Sequence, residues 1–107
     1  MNDEIDWLRV NTAREFRECV TGRVLTGDGL KFIISPDGKI SGTAGGKSFS
    51  GAWVWRDGFF CRTAELEGED LGADCEVIEV ARGLMRYTRD KGTGPSAIVD
   101  IGDLVSE

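Results

Sequence analysis

Asp-Gly pairs interrupt this chain at 28–29, 37–38 and 57–58, each flanked by apolar or β-branched residues. Asp-Gly suits the type I′ turn of a two-residue hairpin, because both central residues take positive φ there. Weaker turn signals follow at Gly45-Gly46, Gly68-Glu69, Arg82-Gly83 and Lys91-Gly92. The turns divide the chain into extended segments at 22–26, 30–35, 39–43, 48–56, 59–66, 73–81, 84–89 and 96–101. Short strands at this rhythm point to an all-β sandwich or barrel. Consecutive tight hairpins give a mainly β, antiparallel up-and-down meander. Its eight strands suffice to close a small barrel and remove exposed edges.

The N-terminal part reads differently. Thr12-Ala13-Arg14-Glu15 fits a capping box, with Thr at the N-cap and Glu three positions on. Ala13, Phe16, Cys19 and Val20 then recur at helical spacing. The expected element is a short amphipathic helix over about 12–20, ending near Gly22, which can take the left-handed position past a helix end. It should plug one end of the barrel or pack on its wall. Residues 3–10 suggest an earlier helical turn, with Ile5 and Leu8 on one side. One domain, 1–107, is expected, with the meander over about 22–101.

Composition excludes several functions. The chain has no His, which removes His-based general bases, triads and His metal ligands. Its net charge of −6 argues against a nucleic-acid partner, because phosphate binding needs a basic face. No apolar run approaches the length of a membrane span. The acidic start, Met1 to Trp7, lacks the basic and apolar parts of a secretory signal, so the expected location is the cytoplasm. A processed mature chain would read the same way and belong to the periplasm. No metal site is expected from three cysteines without a CxxC pair. Nor is a cofactor. Residues 41–48 resemble a phosphate loop, but Ser41 replaces the first Gly and a strand follows. The Gly92-Thr93-Gly94 stretch leads into Pro95 and a β-rich segment, which no dinucleotide-binding helix would do.

The tight turns fix cross-strand partners. Across Asp57-Gly58, Trp55 faces Phe60 and Trp53 faces Arg62. Across Arg82-Gly83, Val80 faces Met85, Ile78 faces Tyr87 and Glu76 faces Arg89. A middle register about Gly68 sets Cys61 opposite Cys75, Arg62 opposite Asp74 and Phe60 opposite Glu76. Residues two apart share a face, so one wall collects all of these except the cysteines. That wall has an apolar floor and a polar, charge-paired mouth, the usual make-up of a small-ligand site. The candidate ligand-binding residues are Trp53, Trp55, Phe60, Arg62, Tyr87 and Arg89, with a cation–π contact between Trp53 and Arg62. The same residues also fit a packed core with a charged rim. Cys61 and Cys75 fit either a somewhat strained disulfide or, with Cys19, three partly buried thiols.

Gly51 to Arg62, Asp74-Cys75 and Arg89 to Gly94 together resemble a small uncharacterised family known mainly from alphaproteobacteria. The pattern runs G-x-W-x-W-x-D-G-x-F-C-R, D-C and R-D-K-G-x-G, and the resemblance covers roughly residues 12–100. Gly51-Ala52-Trp53 also looks like the lipocalin G-x-W motif, here in mid-chain, which suits a lipocalin- or calycin-like barrel.

The expected function is non-catalytic binding of a small amphipathic or anionic ligand. Trp53, Trp55, Phe60 and Tyr87 would supply walls, and Arg62 and Arg89 would orient a carboxylate or phosphate. The alternative is a protein-interaction module with a filled core, docking through its acidic 65–79 hairpin. Catalysis would have to rest on Asp74, Glu76, Tyr87 or the thiols, and no spacing singles out a pair.

Overall fold

The computed structural model describes residues 5–105. Its strands are β1 (Leu8–Arg9), β2 (Arg23–Gly27), β3 (Leu30–Ile34), β4 (Lys39–Ala44), β5 (Lys47–Arg56), β6 (Phe59–Leu66), β7 (Glu69–Ala81), β8 (Leu84–Thr88) and β9 (Ser96–Leu104). Strands β2 to β9 pair with their chain neighbours, and β9 returns to β2, closing an eight-stranded antiparallel barrel. The helix α1 (Ala13–Cys19) precedes the barrel.

Positive φ at both central residues marks true two-residue turns at 28–29, 45–46, 57–58, 67–68 and 82–83. Three of the expected turns differ. At 35–38, Pro36 occupies the second position of a type I turn, in which the Gly38 amide donates to the Ser35 carbonyl at 3.3 Å. Only Gly38 takes positive φ, so this hairpin has a longer loop. The β6–β7 turn lies on Glu67-Gly68, one residue before the expected Gly68-Glu69, and β7 begins at Glu69. The expected register nevertheless appears further along. A shift between Thr63 and Glu65 inserts one extra residue, and Cys61 then faces Cys75. At Arg89–Gly92 the chain makes a four-residue turn with Asp90 and Lys91 at left-handed φ.

Residues 5–10 are not helical, and residues 3–4 of the expected turn lie outside the described part. Leu8 and Arg9 form β1, paired with Val80 and Glu79 of β7. The reason is that β7 outruns β6. Its pairing with β6 stops at Glu76, leaving backbone groups at 78–80 without partners on that side. The β1 segment covers them, and the Val10 amide extends the ladder to the Ile78 carbonyl at 2.9 Å. Leu8 itself is exposed.

The capping box forms: the Glu15 amide donates to Thr12 Oγ1 at 3.1 Å. The Glu15 carboxylate in turn accepts from the Asn11 amide at 3.3 Å. Helix α1 and its C-cap residue deliver Phe16 and Val20, both fully buried, into the barrel end beside the 57–58 turn. There Phe16 sits 5.0–5.2 Å from the rings of Trp53, Trp55 and Phe60. The helix is a plug rather than a wall element. The core runs from it through Leu25, Ile34, Ile40, Ile78, Met85 and Val99.

Closing so few strands requires sharp bends. At Gly51 a Cβ would stand 2.1 Å from the Thr63 carbonyl oxygen. The glycine of the G-x-W string is therefore a place where β5 folds tightly against β6.

Candidate functional site

Beyond the plug, the barrel interior holds a cavity of about 220 Å³. Its floor is Phe32, Ile34, Ile40, Phe60, Ile78 and Met85; Leu30, Phe49, Ala64 and Leu71 continue the wall toward the far rim. That rim is formed by the turns joining β2–β3, β4–β5 and β6–β7. Four polar side chains enter the same space: Arg62, Glu76, Tyr87 and Arg89. Strand alternation explains the set. Positions 60, 62 and 64 of β6 face inward with 76 and 78 of β7 and 85 and 87 of β8.

The six candidate residues separate into two groups. Phe60, Arg62, Tyr87 and Arg89 line the cavity. Trp53 and Trp55 share the inward face but do not line the cavity; both rings pack against Phe16, and Trp53 also lies 5.8 Å from the Phe60 ring. Their indole N–H groups donate to backbone carbonyls, Trp53 to Ser35 at 2.9 Å and Trp55 to Asn11 at 3.3 Å. The cation over Trp53 is Arg17 of the helix, at 5.4 Å, in place of the expected Arg62.

The strand registers agree with the expected ones, but the ion pairs run diagonally. Arg62 lies opposite Asp74, yet its guanidinium reaches Glu76 at 3.4 Å. Strand β8 ends at Thr88, so Arg89 has no ladder partner and swings to Asp74 at 3.3 Å instead of Glu76. Asp74 also accepts the Asp90 amide at 3.2 Å, which fastens the 89–95 loop to the barrel. The expected Arg62–Asp74 and Glu76–Arg89 pairs are thus exchanged.

Electrostatics set Glu76 apart. It is 3% exposed. Burial pushes its carboxyl above the ordinary value of 4.5; Arg62 opposes this and Asp74 adds to it. The Tyr87 hydroxyl is also pushed up, by burial first and by Glu76 second. A buried carboxyl, a tyrosine and a guanidinium around one cavity have the character of a ligand site.

Cys61 and Cys75 point to the outer wall and are bonded, with Cα atoms 3.9 Å apart. Cys19 is free and exposed. Thiol titration of the unfolded, unreduced protein is expected to count one thiol, and three after reduction. Reduction should lower stability by about 3 kcal/mol, the loop-closure value for a ring of this size; denaturant titration with and without reductant measures it.

Of the seven acids between Arg62 and Arg82, Glu65, Glu67, Glu69 and Asp70 are exposed. Asp74, Glu76 and Glu79 are paired with Arg89, Arg62 and Arg86. Among the described residues no cluster of His, Cys, Asp or Glu could hold a metal. No described helix is long and apolar enough to cross a membrane. No family model, no curated protein and no solved structure matches this chain.

Proposed function

We propose that this protein is a non-catalytic carrier or sensor of a small amphipathic or anionic ligand, held inside the barrel. One observation carries the reading: a largely apolar cavity into which the buried Glu76, its ion-pair partner Arg62 and the half-buried Tyr87 project. Apolar walls with a few convergent polar groups are how small-molecule sites are built. The interior space weighs against the filled-core interaction module, as does the splitting of the acidic hairpin, three of whose acids are engaged in ion pairs. The Cys61–Cys75 bond favours an oxidising compartment, hence the periplasmic alternative over the cytoplasm. Membership of the small alphaproteobacterial family is part of the proposal. In it Gly51, Trp53 and Trp55 are barrel-building residues, while Phe60 and Arg62 face the ligand.

The test is a thermal-shift comparison of the protein with its Ala64→Leu variant, using hexanoate, octanoate, 1-hexanol and hexylamine. Ala64 is 2% exposed and lines the cavity, so a leucine there fills the space. At least one compound should raise Tm in the wild type, and the shift should disappear in Ala64→Leu. No shift with any compound, or a shift that survives the filling, contradicts the reading.

A further inference from the structure

The Arg62–Glu76 pair of the cavity is incompletely satisfied. Arg62 donates to Glu76 Oε2 at 3.4 Å and to the Gly72 carbonyl at 3.4 Å, both at the long limit. A guanidinium has five donors in a planar fork, and a carboxylate has about four acceptor positions. One long bond joins the two groups, and the cavity lies beside them. The two ion pairs beside the cavity balance in charge. Arg62 neutralises Glu76, and Arg89 neutralises Asp74. The remaining neighbours are Tyr87 of β8, uncharged at neutral pH, and Asp28 of the β2–β3 turn, which acts on Tyr87 from the rim.

Among the described residues the cavity lining holds no cation beyond these two paired arginines, so an entering anion adds a charge that none is free to meet. Two carboxylates side by side on one arginine cannot both stay ionised in a low-dielectric cavity; one proton must be shared between them. We infer that the ligand is a short-chain monocarboxylic acid, and that it binds together with one proton, its carboxyl and that of Glu76 sharing the proton beside the Arg62 fork. This rests on the ligand-binding reading and names its substrate class. The cavity sets the scale of the part of the ligand held inside the barrel. Its 220 Å³ equals about seven waters at ~30 Å³ each, which leaves room for a carboxyl group and roughly six carbons.

The step is a proton equilibrium, with no bond made or broken elsewhere. The proton comes from bulk solvent on binding and returns on release. Burial raises the Glu76 carboxyl above its ordinary value, so the proton meets less opposition there than on an exposed carboxylate. Uptake and release then follow acidity: the acid is bound where pH is lower and released where it is higher.

Isothermal titration of the wild-type protein with hexanoate and with octanoate, at pH 5 to 8 and in buffers of different ionisation enthalpy, measures the proton count directly. 1-Hexanol serves as the uncharged control. The expected result is uptake approaching one proton per carboxylate bound above the titration range of Glu76 and falling toward zero below it. Affinity should fall about tenfold per pH unit above the titration range of Glu76, while hexanol stays independent of pH. Glu76→Gln, which keeps shape and hydrogen bonding, should bind the carboxylates with no proton uptake and no pH dependence. Carboxylate binding to the wild type without proton uptake anywhere between pH 5 and 8 overturns the inference, as does uptake that persists in Glu76→Gln. Binding of hexanol alone overturns it while leaving the ligand-binding reading intact. Binding of none of the three ends both.

Discussion

Phe16→Ala is expected to lower the unfolding free energy by about 3–5 kcal/mol, the range for removing a buried phenylalanine ring. The side chain is fully buried and touches three other aromatic rings, 5.0 to 5.2 Å between centres. Aromatic pairs contribute beyond their buried area, so the value should lie in the upper half of that range. The loss also opens the plugged end. Trp53 and Trp55 keep their hydrogen bonds to Ser35 and Asn11 only while the helix and the 35–38 loop hold them. Urea titration followed by tryptophan fluorescence reports both effects, the midpoint and the exposure of the indoles. A domain of this size should lose at least ~12 °C in Tm. A change under 1 kcal/mol would mean that the helix lies on the wall.

Arg62→Ala should cost about 3–5 kcal/mol at pH 7, the typical penalty for leaving one partner of a buried ion pair alone. Glu76 is the group left uncompensated, with its side chain 4% exposed. The sign of the pH dependence follows from its raised titration. In the folded chain Glu76 holds its proton to higher pH than in the unfolded chain, where its value is near 4.5. The stability this group contributes is therefore complete below that value and is lost as pH rises through the raised one. Removing Arg62 takes away the one hydrogen-bonded influence opposing the shift, so the penalty should shrink as pH falls toward 4.5 and grow toward neutrality. Arg62→Met combined with Glu76→Leu should regain most of the loss, since an apolar pair of similar volume needs no ionic partner. Denaturant midpoints of the single and double variants between pH 4 and 8 measure both statements. A penalty for Arg62→Ala that is flat with pH would contradict them.

The barrel was legible in the sequence because its hairpins are local. Asp57-Gly58 sets Trp55 against Phe60, and Arg82-Gly83 sets Ile78 against Tyr87, with no reference to the rest of the chain. The Cys61–Cys75 register was also readable, although a displaced turn and a bulge produce it, and the two deviations cancel. What the chain did not reveal depends on long-range packing. That Phe16 packs against both indoles is decided by where the helix docks. The diagonal exchange of the arginines follows from β8 ending at Thr88, which leaves Arg89 free to turn. The cavity residues Leu30, Phe32, Ile40 and Phe49 went unmarked for a different reason. Their alternation in β3, β4 and β5 is visible, but only closure of β2 onto β9 brings that half of the wall across from Arg62 and Tyr87. Glu76 belonged to the inward stripe and was passed over as an ordinary ladder partner. Its place between Asp74 and Ile78, on a face otherwise turning apolar, was the signal available.

Methyl-resolved NMR of the protein titrated with hexanoate and, separately, with 1-hexanol tests the binding reading most directly. The Ile40, Ile78 and Met85 methyl groups face the cavity floor, whereas Ile98 points outward and is 49% exposed. Saturable shifts at the first three, with Ile98 unmoved, are the predicted result. Shifts confined to Ile98 and the outer wall, or none at any concentration of either compound, would contradict the account.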